Sequence, residues 1–145
     1  DDGLSADSPT NPTSGVPLIA TLMTKLQSAG LQDQVTFATL NVFGRTLTQL
    51  GSAGRNHWAE HHASVIIGSK IRGSVVGGVQ LNSALGEYTA MPVDSASGTA
   101  TINGDVVTTD LLASFGKTLC HAVGLPQSLY DQQISKGKPI LGALR

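Results

Sequence analysis

The sequence feature that most constrains the fold is a helical repeat of apolar residues followed directly by a stretch rich in β-forming residues. Apolar residues recur every three or four positions in VPLIATLMTKLQSAGLQ, at Leu18, Leu22, Leu26 and Ala29. This spacing predicts an amphipathic helix with Pro17 near its first turn and Gly30 at its C-cap. The next stretch, QVTFATLNVF, is rich in β-formers and predicts a strand. A helix, a short turn and then a buried strand are typical of an α/β layer fold.

The rest of the chain adds further predicted elements. We expect a loop from Gly44 to Asn56, a buried strand in ASVIIG, a short strand in IRGSVVGG and a loop in QLNSALGEYTAMPVDSASG. The segment INGD predicts a turn. Thr109 or Asp110 then caps a second helix that ends at Gly124 before Pro126, with an apolar face made of Leu112, Phe115, Leu119 and Val123.

Composition narrows the class of protein. The chain has 145 residues, of which 40% are hydrophobic and 13% charged, and this suits one compact domain. Its net charge is -1 and its basic residues are scattered, so we expect no nucleic-acid partner. Cys120 is the single cysteine, which excludes an internal disulfide and a cysteine-based zinc cluster. No apolar run approaches the roughly 20 residues of a membrane span.

The polar opening segment differs from the remainder of the chain. Residues 1–15 hold Pro, Ser, Thr, Asn, Asp and Gly with a single Leu, and they predict a flexible arm or linker. Residues 16–145 are the predicted domain. Because an arm of this kind is an unusual start for a fold, we expect the chain to be part of a longer protein.

The segment RNHWAEHHAS concentrates chemistry-bearing side chains, with three of the four histidines beside Glu60. His57 to His61 matches H-x-x-E-H, the inverted zinc-protease motif, in which a helix places both histidines on one face and the glutamate acts as general base. That motif needs a helix here and a third, acidic ligand. The glycines before it and ASVIIG after it leave room for little more than two helical turns, and Glu87 is the only other glutamate.

Two other interpretations of this segment are open. The histidines and Trp58 could form a packed, hydrogen-bonded polar loop. Alternatively, some of the histidines contribute to a metal or oxyanion site that residues elsewhere complete, because imidazole is a common metal ligand at the ends of strands in α/β folds.

The run from Thr36 to Val79 resembles a bacterial family, domain of unknown function 1501, of the alkaline phosphatase and sulfatase superfamily. The order of its elements carries the resemblance: NVFGRT, then GRNH, then VIIG, then the glycine-rich run from Ile71 to Gly77. The preceding SAGLQDQV fits the family as well, and so does the later PVDSASG followed by GDVVTTDLLASFGKTLCHAVGLP. The resemblance spans about residues 17 to 144.

The resemblance implies a fold and a function. The fold is the C-terminal portion of a three-layer αβα alkaline-phosphatase-like domain in an exported, periplasmic or secreted protein. The family's function would be hydrolysis of phosphate or sulfate esters with a zinc-like divalent metal. His57 and His61 are then candidate metal ligands, and Arg45, Arg55 and Asn56 candidate substrate-binding residues. The expected partner is the remainder of the parent domain, or another copy of it.

Departures from the family pattern support an alternative. Asn41, Val42 and Asn56 stand where the family carries Ser, an acidic residue and Asp, so the site loses two anionic side chains. The superfamily's nucleophile lies in the N-terminal part of its domain, and no Ser or Thr here matches it. We therefore assign no catalytic residue and expect no activity from this chain alone. The alternative is a non-catalytic extracytoplasmic structural or binding protein that retains the fold with a degenerate metal site.

Overall fold

Helices and small sheets both occur in the computed structural model, which describes residues 10–41, 43–48 and 55–145, with side chains from residue 17. The predicted mixture of α and β structure is confirmed. In chain order the elements are α1 (Thr10–Ser28), β1 (Phe37–Ala38), β2 (Gly44–Arg45), β3 (His57–Trp58), β4 (Ile66–Ile67), β5 (Val79–Asn82), β6 (Glu87–Ala90), α2 (Leu111–Ala122) and α3 (Gln127–Gln133), with 3-10 turns at Thr108–Asp110 and Leu141–Ala143.

The described strands form three separate two-stranded sheets, β1–β4, β2–β3 and β5–β6. The chain divides into two compact units. Unit 1 comprises Asp1–Ser69 with Ser83–Tyr88, and unit 2 comprises Lys70–Asn82 with Thr89–Arg145. Within the described ranges, no helix has the length and apolar character needed to cross a membrane.

Helix α1 begins earlier than predicted. It starts at Thr10, so residues 10–15 are helical rather than part of an arm, and residues 1–9 lie outside the described part of the chain. Pro17 consequently lies inside the helix and not in its first turn. The predicted C-cap is confirmed: Gly30 has φ +68°, and the Leu31 N–H donates to the Leu26 carbonyl at 2.9 Å.

The buried face of α1 differs from the predicted one. Leu18 and Leu22 are 68% and 40% exposed, whereas Ile19, Met23 and Leu26 are half-buried. Both stripes have helical spacing, because apolar residues occupy adjacent positions throughout this helix. Periodicity alone therefore predicted the helix but not the side that faces inward.

In unit 1, both predicted strands are present, but each has two residues, and these are half-buried rather than buried as predicted. Strands β1 and β4 pair antiparallel, with Phe37 opposite Ile67. Thr39 extends the pairing, since its N–H donates to the Val65 carbonyl at 2.9 Å and its Oγ1 accepts the Val65 N–H at 2.8 Å. The β1–β4 sheet thus joins the two ends of the stretch, residues 39 to 65, that contains the histidine segment.

The core of unit 2 lies around a tightly paired loop. Val93 and Val106 exchange backbone hydrogen bonds at 2.9 and 3.0 Å, and both are 2% exposed. Ile140 and Ala143 complete this cluster. The turn predicted in INGD is confirmed, with the Gly104 N–H donating to the Thr101 carbonyl at 3.0 Å. This turn returns the chain so that Val106 can face Val93.

Two predictions for residues 71–98 are wrong. The predicted loop in QLNSALGEYTAMPVDSASG contains the β5–β6 hairpin, whose short connection includes Gly86 at φ +65°. The strand predicted in IRGSVVGG is reduced to single bridges, from Ile71 to Leu144 and from Gly77 to Thr99. The alternation of apolar and polar residues that is typical of a strand becomes regular only from Val79. Before that residue, the glycines and the mixed polarity interrupt it, so the position of the strand was not predictable.

Helix α2 has the predicted ends but a different inner face. Gly124 has φ +81°, and the Leu125 N–H donates to the Cys120 carbonyl at 3.0 Å, which is the predicted glycine C-cap. Asp110 occupies the N-cap position without a side-chain capping hydrogen bond. The ends of the predicted apolar face, Leu112 and Val123, are 61% and 63% exposed. The buried positions are Ser114, Lys117, Thr118 and Ala122.

Polar residues on the inner face of α2 bind the C-terminal segment. Thr118 Oγ1 donates to the Ser114 carbonyl at 2.6 Å and accepts the Ile140 N–H at 2.9 Å. Ser114 Oγ accepts the Lys138 N–H at 3.1 Å. The hydroxyls accept hydrogen bonds from backbone N–H groups that are not part of a helix or sheet, so this face of α2 is both polar and buried. Hydrophobic periodicity could not identify such a face.

Candidate functional site

The histidine segment is extended in the structure. His57 and Trp58 form β3, and residues 59–65 contain a bend and no helix. The inverted zinc-protease interpretation is therefore wrong, since it requires both histidines on one helical face. Strand β3 pairs antiparallel with β2, which places Arg45 opposite His57 and Gly44 opposite Trp58.

Aromatic and cationic groups meet at the β2–β3 pair. The rings of Phe43 and His57 have centroids 4.1 Å apart and are tilted by 39°. The guanidinium carbon of Arg45 lies 5.4 Å from the centroid of the Phe43 ring, which is cation–π distance. His57 remains exposed and Arg45 is half-buried. These contacts orient both side chains at the surface of unit 1.

Gly44 allows the histidine segment to lie against β2. A Cβ built at Gly44 would overlap the carbonyl oxygen of His61 and lie 3.1 Å from the carbonyl oxygen of Trp58. The backbone around His61 therefore packs on β2 at a distance that only glycine permits. This glycine belongs to the NVFGRT element, and the structure gives it a steric function.

Two side chains of the segment share one backbone acceptor. The carbonyl oxygen of Tyr88 lies 2.7 Å from Trp58 Nε1 and 3.1 Å from His61 Nδ1. A carbonyl can only accept, so in neutral His61 the proton is on Nδ1 and the lone pair is on Nε2. Such orientation through the second ring nitrogen is common for histidines that bind metals.

Glu87 is the main buried anion of unit 1, with 5% of its surface exposed. Its Oε1 accepts the N–H groups of Leu47 at 3.0 Å and Tyr88 at 2.8 Å, and its Oε2 accepts the Thr48 N–H at 3.0 Å. The hydrogen bond from the Tyr88 N–H is the largest cause of a lowered pKa at Glu87. Burial opposes that shift, and the amides of Thr48 and Leu47 add to it.

The importance of Glu87 was missed from the sequence. Two of its three backbone partners, the amides of Thr48 and Leu47, are 39 and 40 positions away, and backbone groups leave no mark in the pattern of side chains. The only available signal was a lone glutamate in a stretch of β-formers that otherwise lacks charge from Gly73 to Gly86.

Arg55 and Asn56 hold the chain where it returns to β3. Arg55 Nη1 donates to the carbonyls of Thr46, at 2.9 Å, and Leu47. The Thr46 N–H donates to the Asn56 carbonyl at 3.0 Å, and the Asn56 N–H donates to Thr46 Oγ1 at 3.1 Å. Arg45 Nη1 in turn donates to the Arg55 carbonyl at 3.3 Å. The loop predicted from Gly44 to Asn56 is wrong at its start, because Gly44 and Arg45 form strand β2. Its other described residues are held by these polar contacts, and residues 49–54 lie outside the described chain.

The structure gathers the candidate substrate-binding residues in one place. Arg45, Arg55 and Asn56 all lie at the β2–β3 pair beside His57. Among the residues that the structure describes, no three His, Cys, Asp or Glu side chains lie together as a metal site would need. Metal binding by His57 and His61 stays a prediction, with His61 Nε2 as the donor atom that the hydrogen bonding leaves for a ligand.

Known proteins offer no match to this arrangement. No family model matches the chain, and no curated protein or solved structure does so either. The fold and site themselves define a mixed α/β chain in which two arginines hold backbone carbonyls at the β2–β3 pair and the buried Glu87 carboxylate holds backbone amides beside it.

Proposed function

We propose that this chain is the C-terminal part of an exported bacterial hydrolase-like protein of the alkaline phosphatase and sulfatase superfamily, and that it hydrolyses no ester by itself. The order of elements from NVFGRT to Gly77 supports membership of that superfamily. One observation carries the lack of activity: Glu87, Arg55 and His61 Nδ1 all form hydrogen bonds with backbone groups. These side chains stabilise the loop ends and the hairpin instead of reacting.

The three-layer αβα fold belongs to this proposal. Strands of two to four residues supply little sheet of their own. In the proposed parent protein, the remainder of the domain, or another copy of it, provides the strands against which this part packs. The parent domain is therefore the partner we propose, and its location is the periplasm or the exterior of the cell.

The part that this chain contributes to the site is an anion-contacting edge. Arg45 and Asn56 flank His57, which is exposed and stacked on Phe43. Arginine favours phosphate and sulfate oxygens because its planar guanidinium donates two parallel hydrogen bonds. In the complete protein, His57 and His61 Nε2 would hold a zinc-like divalent metal, which would polarise the ester and neutralise its charge.

Ester hydrolysis by the purified chain tests this proposal. The chain is incubated with p-nitrophenyl phosphate and p-nitrophenyl sulfate, with and without Zn²⁺, and release of p-nitrophenol is followed. We expect p-nitrophenol to be released no faster with the chain than in buffer without protein. His57→Ala and His62→Ala serve as matched variants, since both histidines are exposed but only His57 lies in the β2–β3 pair. Turnover that His57→Ala abolishes and His62→Ala preserves would overturn the proposal.

A second candidate is a non-catalytic extracytoplasmic structural or binding protein with a degenerate metal site. Asn56 favours it: at the family's aspartate position, its backbone N–H and carbonyl hold Thr46, and its amide side chain carries no charge to neutralise a metal. The full-length parent distinguishes the two candidates. Bound metal and ester hydrolysis that both fall in His57→Ala support the hydrolase, and an inactive, metal-free parent supports the binding protein.

A further inference from the structure

We infer that strand β5 is a self-pairing edge, through which two copies of this chain associate as an antiparallel, two-fold symmetric dimer. The surface concerned is the apolar edge, defined here as Val75, Val76, Val79, Gln80 and Leu81. All five belong to unit 2.

The apolar edge exposes four large apolar side chains, two in β5 and two in the stretch just before it. Val75 is 93% exposed and Leu81 59%, and Val76 and Val79 are 37% and 39% exposed. Gln80 is also exposed, so side chains on both faces of the strand meet solvent. Contiguous exposed apolar residues of this kind mark interaction surfaces.

The backbone of β5 offers hydrogen-bonding groups to a further strand. Within the described chain, the only strand that β5 pairs with is β6. Alternate residues of an antiparallel pair direct their N–H and C=O groups away from the partner, towards the open side. Natural proteins usually protect such an edge with charged side chains or proline. Neither occurs between Arg72 and Glu87.

The charge pattern selects a second copy as the occupant. In an antiparallel pair about a two-fold axis, the residue on the axis meets its own copy, so a charge at that position would face a like charge, and Gln80 carries none. Gln80 adds a positive argument, because an amide side chain both donates and accepts and is therefore complementary to itself. A partner that relied on charged contacts would find nothing to pair with here.

A two-fold axis at Gln80 gives a consistent register. It places Gln80 opposite Gln80 of the other copy, and Val79 opposite Leu81 on the other face of the ribbon. Both apolar cross-strand pairs then form together with one amide pair, as an isologous interface requires.

A charge-swap experiment tests the dimer with the full chain. Its molar mass is measured by light scattering from micromolar to millimolar concentration, and we expect a concentration-dependent dimer. Gln80→Lys and Gln80→Glu each put like charges directly across the axis, so each alone should weaken dimerisation on the order of a hundredfold. An equimolar mixture of the two variants should restore it as a heterodimer.

The control is Ile102→Lys, which changes an apolar residue that is 74% exposed but lies outside the apolar edge. It should dimerise as the wild type does. A wild-type chain that stays monomeric throughout, or variants at Gln80 that dimerise as well alone as when mixed, would overturn the inference. Circular dichroism of each variant confirms that the fold is retained.

Discussion

Lys117 and Asp131 form an ion pair between α2 and α3, with Lys117 Nζ 2.6 Å from Asp131 Oδ1. The pair is asymmetric: the lysine side chain is 6% exposed and the aspartate side chain 39%. Gln127 Nε2 donates to the other carboxylate oxygen at 3.1 Å. The hydrogen bond from Lys117 is the larger cause, and that from Gln127 the smaller, of a lowered pKa at Asp131. The buried ammonium therefore depends on an aspartate that water can still reach.

This asymmetry predicts unequal effects of removing either partner. Asp131→Asn leaves a buried ammonium without an anion and should lower the Tm by several degrees. Lys117→Met replaces the buried charge with an apolar side chain of similar length and leaves a carboxylate that water can solvate, so its Tm should change less. Thermal unfolding followed by circular dichroism gives both values. A larger loss in Lys117→Met would contradict the assigned asymmetry.

Removal of the Thr118 hydroxyl should lower the stability of the fold substantially. Thr118→Val keeps the shape of the side chain but removes the acceptor of the buried Ile140 N–H. We expect a loss of about 2 kcal/mol in the free energy of unfolding, because a buried donor is left unpaired. Thr109→Val is the control: that hydroxyl is exposed and donates to the neighbouring Asp110 carboxylate, so its effect should stay within about 0.5 kcal/mol. Urea denaturation of both variants checks this, and equal losses would count against the contact.

Gly44→Ala should destabilise unit 1. Its Cβ would overlap the His61 carbonyl oxygen, so the histidine segment must move away from β2. We expect a loss of about 3 kcal/mol in the free energy of unfolding. Gly73→Ala is the matched control, since a Cβ there has no atom within 4 Å and the change should stay within about 0.5 kcal/mol. If Gly44→Ala were as stable as this control in urea denaturation, the close packing of the segment on β2 would be excluded.

The elements with strong local signals were predictable from the sequence. Gly30 and Gly124 end their helices with positive φ, as apolar periods followed by glycine predicted. Strands β1 and β4 lie within the two stretches richest in β-formers. In these cases the local sequence and the final structure agree because the backbone itself requires those residues.

The remainder depended on contacts between distant residues. The inner face of α2 is polar because Ser114 and Thr118 bind a segment about 22 to 24 positions away. Glu87 binds amides about 40 positions earlier, and no spacing along the chain reveals that. The resemblance named Arg45, Arg55 and Asn56 as candidate substrate-binding residues, and that role stays a prediction. Their hydrogen bonds to backbone carbonyls and amides could not be predicted from the sequence.

The lowered pKa of Glu87 makes stability depend on pH. The ordinary value is 4.5, and the folded value is lower, so the ionised carboxylate stabilises the folded chain above 4.5. That contribution is lost as the pH falls through the folded pKa. Glu87→Gln should be less stable than the wild type at neutral pH, and the difference should shrink as the pH falls below 4.5.

The control for this pH dependence is Glu60→Gln, which alters an exposed glutamate in the same unit. Its unfolding free energy should follow the wild-type curve. Asp94, Asp105 and Asp131 also have lowered pKa values, so every variant keeps some acid sensitivity. A Glu87→Gln curve that runs parallel to the wild type at all pH values would contradict the assigned shift.

Amide hydrogen exchange at Leu47 and Thr48 tests the central claim, that the polar side chains of the candidate site hold its backbone, most directly. In Glu87→Gln, the amide nitrogen that replaces one carboxylate oxygen cannot accept a hydrogen bond. We expect the exchange of Leu47 or Thr48 to accelerate by about tenfold or more, while that of Val106 in unit 2 stays unchanged. Unchanged exchange at both Leu47 and Thr48 would contradict the claim.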